Sequence, residues 1–256
     1  MPLTPAARET FTRLFGAEPE PSPTDPELME TLQNQIFDEV FSAGVLTDVE
    51  RELLTVTCLA TMQTLPQLRA HVGAALRVGA TPEQLRETVY QCQPYIGYPK
   101  TLNAVAVLNE VLTAHGVALP LAPAATVAYE KREKAGAAIQ RPLYGDEVAE
   151  VLAGLPAPFD TQVPHMLTAV AFGEVETRGV LDIAFRELVS LVAIAALGAA
   201  TQLRPHVAGA IRAGNTRQKV AAALVQALPY IGGPYALSGL VLVANYEEGA
   251  SFEAYR

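Results

Sequence analysis

Two residue types that exchange protons near neutral pH recur at a fixed spacing in this chain. A glutamate precedes a histidine by 19 residues at Glu52 and His71, and again at Glu187 and His206. An imidazole carries a proton in either direction near pH 7, and a carboxylate beside it can share that work. These four residues are candidate catalytic groups for acid–base chemistry, arranged as two copies of one pair.

Each of these residues also has a structural explanation. The two glutamates lie where helices are predicted to begin, and the helix dipole favours an acid in a first turn. If the acid is buried there instead, it binds its proton more tightly, which suits proton transfer. A single helical histidine is commonly a packing or surface residue, although two of the chain's four histidines share this repeat position. Both explanations stay open.

Arginines and tyrosines at equivalent positions are candidates for substrate binding. Arg69 and Arg204 stand two residues before each histidine and could bind a carboxylate, but residues two apart on a helix point about 200° away from each other. Tyr95 and Tyr230 stand in a break between two apolar segments, where a hydroxyl could line a pocket. A surface ion pair and a structural helix break are the competing interpretations.

The candidates belong to a longer internal repeat. Equivalent residues are separated by 135 positions, and the correspondence runs without a gap from about Phe37 and Phe172 onward. Upstream, Leu14-Phe15-Gly16 corresponds to Leu143-Tyr144-Gly145 at a separation of 129. We therefore predict a first repeat over 1–118, a linker over 119–126 and a second repeat over 127–256. The retained strings are Arg-Glu-Leu (51, 186), Gln-Leu-Arg-x-His-Val (67, 202), Gly-x-Thr (79, 214) and Gln-x-x-Pro-Tyr-Ile-Gly-x-Pro (91, 226).

Apolar residues at helical spacing predict an all-α fold. Thr47 with Glu50 and Thr81 with Pro82 are helix-start signals. The predicted helices of the first repeat are 5–15, 27–43, 47–63, 67–78, 81–93 and 101–115, and 127–140 is predicted to repeat the first of them. A straight hairpin of the third and fourth helices would place His71 about 10 Å along the axis from Glu52. The pair therefore needs crossed helices, the other repeat or another subunit.

Composition excludes several classes of function. Half of the 256 residues are apolar and 18% are charged, which predicts a large buried core. The net charge of −9 argues against a nucleic-acid partner. The longest apolar run, 188–200, is too short to cross a membrane, and the N-terminus does not resemble a signal peptide. We expect a cytoplasmic protein.

The two cysteines do not form a redox or metal motif. Cys58 and Cys92 lie 34 residues apart, which fits neither a CxxC pair nor a metal site. Their counterparts in the second repeat are Ala193 and Ala227, so neither thiol belongs to the repeated set. We predict two small, reduced core residues.

The repeated strings resemble the carboxymuconolactone decarboxylase family. In the first copy they are Arg51-Glu52-Leu53, Leu68-Arg69-Ala70-His71, Ala75 to Thr81 and Gln91 to Pro99. The resemblance covers about 75 residues of each half and implies two tandem alkylhydroperoxidase D-like helical repeats. Known single-copy members are about half as long as this chain. It implies homo-oligomers, here a trimer that would be pseudo-hexameric.

One branch of that family reduces hydroperoxides with a CxxC pair near a Glu and a His. Matching that pattern places the thiols at Thr64 and Gln67, and at Ala199 and Gln202 in the second copy. All four positions lack cysteine, and thiol peroxidase chemistry needs a thiolate and a resolving partner. The other branch decarboxylates 4-carboxymuconolactone.

The leading hypothesis is a decarboxylase-like carboxy-lyase that acts on a small carboxylated, lactone-type metabolite without metal or organic cofactor. Glu52, His71, Glu187 and His206 would be its acid–base groups, in one repeat or in both. The alternatives are a peroxidase working from Cys58 or Cys92, and a non-catalytic helical binding or scaffold protein. An isomerase or hydrolase could use the same pair.

Overall fold

The fold is entirely helical over the part of the chain that the structure describes. A computed structural model describes residues 2–247, in which no strand occurs. The helices are α1 Pro5–Phe15, α2 Pro26–Asn34, α3 Asp48–Met62, α4 Leu65–Arg77, α5 Pro82–Gln91, α6 Gln93–Ala114, α7 Arg132–Tyr144, α8 Glu147–Leu152, α9 Phe159–Leu167, α10 Ile183–Ala196, α11 Ala200–Arg212, α12 Arg217–Ile231 and α13 Gly233–Ala244. π-helical turns cover Gln35–Val40 and Thr168–Glu176, and a 3₁₀ turn covers Tyr129–Lys131.

The helix order confirms the predicted tandem repeat. Helices α3 to α6 recur as α10 to α13, and α1 recurs as α7, which lies directly before the second copy's extra helices. Residues 117 to 128 contain no helix and connect the two copies. The same local sequence signals have therefore produced the same four-helix unit twice.

Capping residues begin the helices that carry the candidate site. Thr47 accepts a hydrogen bond from the Glu50 backbone while the Glu50 side chain bonds back, which completes the predicted capping box of α3. Thr81 and Gln84 do the same for α5, and Pro82 occupies its first turn. In the second copy, Asp182 caps α10 through its side chain.

Three predicted helix boundaries are wrong. The segment 27–43 is not one α-helix but α2 followed by a π-helical turn. Helix α4 starts before residue 67, at Leu65, because Pro66 is tolerated in a first turn. Residues 93–100, predicted as a break, are mostly helical; the bend is confined to Gly97, whose φ of +76° suits glycine.

Helices α3 and α10 form the centre of the core. Every residue from Arg51 to Thr61, and from Phe185 to Ala196, is buried. Helix α3 packs against α10 and against α12 of the other repeat, and α10 likewise contacts α5. The two repeats therefore share one hydrophobic core, and each contributes helices to the surroundings of the other's glutamate.

Candidate active site

The first glutamate and histidine form a buried hydrogen-bonded pair within one repeat. Glu52, in the first turn of α3, is fully buried, and His71 on α4 is 7% exposed. His71 Nδ1 lies 2.8 Å from Glu52 Oε2. The straight hairpin considered above therefore does not hold, and neither the other repeat nor a second subunit is needed to form the pair. The bond uses Nδ1 and leaves Nε2 as the nitrogen that could exchange a proton with a substrate.

Aromatic rings enclose the first pair. The rings of Phe15 and Tyr230 meet the imidazole of His71 edge to face, each with centroids 5.5 Å away. Phe11 and Phe37 pack in turn against Phe15. Tyr230 comes from α12, so the second repeat completes the site of the first.

Two buried polar atoms of the first site lack a hydrogen-bond partner. They are Glu52 Oε1 and the Tyr230 hydroxyl oxygen. Burial, followed by the charge of Glu52, raises the pKa of Tyr230 well above its usual value, so this phenol keeps its proton. A buried donor and a buried acceptor without partners are costly unless a ligand or water uses them.

The second pair is linked through a tyrosine. His206 Nδ1 lies 3.8 Å from Glu187 Oε2, beyond a direct hydrogen bond. The Tyr144 hydroxyl donates to Glu187 Oε2 and lies 2.8 Å from His206 Nδ1. Tyr95 of the first repeat meets the His206 ring edge to face, with centroids 5.6 Å apart. The crossing of a tyrosine between repeats thus occurs in both directions.

A second buried acid, Glu176, belongs to the second site. It is 2% exposed and accepts a 2.6 Å hydrogen bond from Gln91, while its Oε2 has no partner. Burial, and then the charge of Glu187, raises its pKa to about 8. The equivalent residue of the first repeat is Phe41. The two sites therefore differ in charge as well as in the link between Glu and His.

Replacing Glu176 with Gln should stabilise the protein above pH 5. Because the pKa of Glu176 is raised in the folded chain from 4.5 to about 8, folded protein binds this proton more tightly, and stability falls as pH rises across that interval. Gln keeps the acceptor for Gln91 without ionising. We expect a gain of about 1–3 kcal/mol at pH 8 and less at pH 5. Urea unfolding at both pH values measures it, with exposed Glu110→Gln as control; equal gains at both pH values would contradict the assignment.

The repeated arginine before each glutamate is structural. Arg51 donates to Gln226 of the other repeat at 2.8 Å and to the carbonyls of Val40 and Ala43. Arg186 donates in the same way to Gln91 at 3.0 Å. These buried bonds fix the start of α3 and α10 against the opposite repeat, and so position the adjacent glutamates.

The comparisons with known proteins agree with this duplicated arrangement. The sequence profile of the carboxymuconolactone decarboxylase family matches the chain twice, over residues 26–110 and 161–244. The chain belongs to the carboxymuconolactone decarboxylase family. Each match covers the helices that carry one Glu–His pair.

One family relative and one solved structure illustrate the similarity. The 4-carboxymuconolactone decarboxylase of Acinetobacter baylyi is 31% identical over 82 residues, which are 32% of this chain and 61% of that protein. A crystal structure from Burkholderia xenovorans LB400, described as a gamma-carboxymuconolactone decarboxylase subunit, superimposes with a TM-score of 0.56 at 22% identity. It covers 93% of this chain and 95% of the other. The second likeness concerns the fold.

The structure does not bring the two candidate arginines to the Glu–His pairs. Arg69 is exposed and forms a 2.6 Å ion pair with Glu110, as its position two residues before His71 suggested. Arg204 lines a surface cavity with Leu237 and Val241. Carboxylate binding by these two arginines is therefore not supported by the geometry.

Both cysteines of this family member are core residues. Cys58 and Cys92 are fully buried. Burial raises the pKa of both thiols, that of Cys92 to about 12, so both stay protonated. The arrangement gives the peroxidase alternative no reactive thiolate. Within residues 2–247, no group of three or more His, Cys, Asp or Glu is placed to hold a metal ion, and no helix is long and apolar enough to cross a membrane.

Sequence reasoning missed two residues of the site, Tyr144 and Glu176. The signal for both was present, because Tyr144 replaces Phe15 and Glu176 replaces Phe41 at corresponding positions. A polar residue that interrupts an otherwise apolar repeat position is a pointer to a changed site. Tyr95 and Tyr230 were chosen as candidates, but their exchange between repeats required the three-dimensional arrangement.

Proposed function

We propose that the chain is a decarboxylase-like enzyme that acts by acid–base catalysis on a small carboxylated, lactone-type metabolite. The observation that carries the proposal is the buried Glu52–His71 hydrogen bond of 2.8 Å beside two unpartnered polar atoms. Family membership supports it, since the relative from Acinetobacter baylyi is a 4-carboxymuconolactone decarboxylase. Neither a metal nor an organic cofactor is required by the chemistry proposed.

The proposed reaction breaks one carbon–carbon bond and forms one carbon–hydrogen bond. The substrate carboxylate leaves as CO2, and the electron pair of the broken bond moves into the system conjugated with the lactone carbonyl. The resulting enolate takes a proton at carbon from His71 Nε2–H. Glu52, which holds Nδ1 of the same ring, balances the charge while the imidazole regains a proton from solvent. Atoms and electrons balance without an oxidant or reductant.

The surroundings of the first pair suit such a substrate. The Tyr230 hydroxyl keeps its proton and can donate it as a hydrogen bond to the enolate oxygen as negative charge develops there. Phe15 and the rings behind it offer an apolar wall for the ring of a lactone. Because His71 is only 7% exposed, a substrate reaches it only when one of the flanking rings moves. The same burial keeps the scaffold hypothesis as the competing function.

The test uses 4-carboxymuconolactone and the full-length chain. CO2 release and loss of substrate absorbance are measured for the parent and for Glu52→Gln/Glu187→Gln, with the Acinetobacter baylyi relative as positive control. We expect release by the parent and at least a 100-fold lower rate in the variant. No release by the parent, under conditions where the control turns over, would remove this substrate. Failure on a panel of carboxylated lactones would favour the scaffold hypothesis.

A further inference from the structure

The two Glu–His pairs differ at one position that decides how the histidine is held. In the first repeat the imidazole bonds directly to the carboxylate, 2.8 Å from Nδ1 to Oε2. In the second, the corresponding atoms of His206 and Glu187 are 3.8 Å apart, and the Tyr144 hydroxyl bonds to both. The first repeat carries Phe15 at the position of Tyr144 and has no hydroxyl to insert.

The second repeat has space made for this phenol. A methyl group at Gly209 would lie 2.5 Å from the Tyr144 hydroxyl and 2.6 Å from the carbon that carries it. The corresponding residue of the first repeat is Ala74, which packs in the same apolar cluster as Phe15. Tyrosine with glycine in one repeat, and phenylalanine with alanine in the other, are thus matched pairs. The buried position of Tyr144 depends on the missing side chain at 209.

The chemistry of a phenol sets the direction of these hydrogen bonds. Burial, followed by the charge of Glu187, raises the pKa of Tyr144 well above its usual value, so its single hydroxyl proton is retained. That proton is donated to Glu187, and the hydroxyl oxygen is left to accept from His206 Nδ1–H. The order of donation is therefore His206, then Tyr144, then Glu187. Nε2 of His206 remains the nitrogen that faces a reacting group.

We propose that Tyr144 is the positioning residue of the second site, which transmits the carboxylate of Glu187 to His206 and fixes the Nδ1–H tautomer of that ring. Its catalytic meaning rests on the proposed function, whereas the link itself does not. The two repeats then carry the same acid–base pair in two forms, a direct dyad and a tyrosine-linked triad. The buried acid Glu176 occurs only beside the triad.

The link is tested first without any substrate. In the full-length chain labelled with ¹⁵N-histidine, the ring nitrogen signals of His71 and His206 are assigned with His71→Asn and His206→Asn. Tyr144→Phe is expected to abolish the Nδ1–H pattern of His206 and leave that of His71 unchanged. Gly209→Ala, which displaces the phenol, should produce the same change, and Glu187→Gln combined with Tyr144→Phe should add nothing further. A His206 pattern that responds to Glu187→Gln but not to Tyr144→Phe, or to neither, would overturn the link.

The catalytic consequence is tested in a background in which the second site works alone. In His71→Asn, adding Tyr144→Phe should lower kcat about 100-fold with KM unchanged, because a misplaced catalytic group loses its alignment while binding is retained. Phe15→Leu in the same background is the matched control and should have no effect. A His71→Asn chain without residual turnover, or an unchanged kcat, would refute the triad's role in catalysis. A parent chain inactive on every lactone would instead refute the proposed function, and the histidine spectra would still decide the link.

Discussion

Replacing His71 and His206 together with Asn is expected to lower turnover of a confirmed substrate at least 100-fold. Proton transfer by a positioned side chain typically contributes about 10²–10⁴-fold, and Asn can hydrogen-bond but cannot transfer the proton. The variant removes that step from both sites, since each site contains one of these two imidazoles. Initial rates of CO2 release, compared with the parent at equal protein concentration, measure the effect.

The fold should survive this double substitution. His71 is nearly buried, but its partner Glu52 can still accept a hydrogen bond from the Asn amide. The helical circular dichroism signal should match the parent, and Arg69→Ala/Arg204→Ala should keep near-parental activity because the structure places neither arginine at a pair. Full activity in the double His→Asn variant would show that the pairs are not catalytic.

The sequence predicted those parts of the structure that depend on local chemistry. Thr47 and Thr81 begin helices because their side chains satisfy backbone N–H groups close by in sequence. The repeat at 135 residues predicted that the same unit would occur twice, and it does. The pairing of Glu52 with His71 was one of three geometries left open, because spacing along two helices does not give the angle at which they meet.

What could not be predicted depends on contacts between the repeats. Tyr230 lies 175 or more residues from Glu52 and His71's helix start and reaches their site only because α12 packs against α3. The partner of Arg51 is Gln226, equally distant in sequence. Such contacts are set by the shared core, which no periodicity or capping signal describes. Equivalent positions that differ, such as Phe41 and Glu176, were the remaining accessible signal.

A buried charge cluster exists in only one half of the protein and should carry much of its stability. Glu87 is fully buried and accepts hydrogen bonds from Arg178 at 2.7 Å and from Arg86 at 2.9 Å, with Arg186 at 3.5 Å. The corresponding residue of the second repeat is Ala222, so an alanine is sterically tolerated at that position of the repeat. Burial alone would raise the pKa of Glu87, but the bonds and charge of Arg178, with those of Arg86 and Arg186, outweigh it and hold the pKa below its usual value.

Glu87→Ala is therefore expected to cost about 3–5 kcal/mol, because it leaves the buried Arg186 guanidinium without its carboxylate. The exposed Glu110→Ala, which removes the partner of Arg69, should cost at most about 1 kcal/mol. Since the folded-state pKa of Glu87 is depressed, its contribution is complete above the unfolded value of 4.5 and is lost as pH falls below it.

Urea unfolding of both variants at pH 7 and at pH 4 measures these differences. The parent should lose more stability than Glu87→Ala between the two pH values, and the two chains should converge in acid. Because Arg186 immediately precedes Glu187, the loss should also disturb the second Glu–His pair before the first. Equal costs for Glu87→Ala and Glu110→Ala would show that the cluster contributes no more than a surface ion pair, and that α10 is held by its apolar contacts alone.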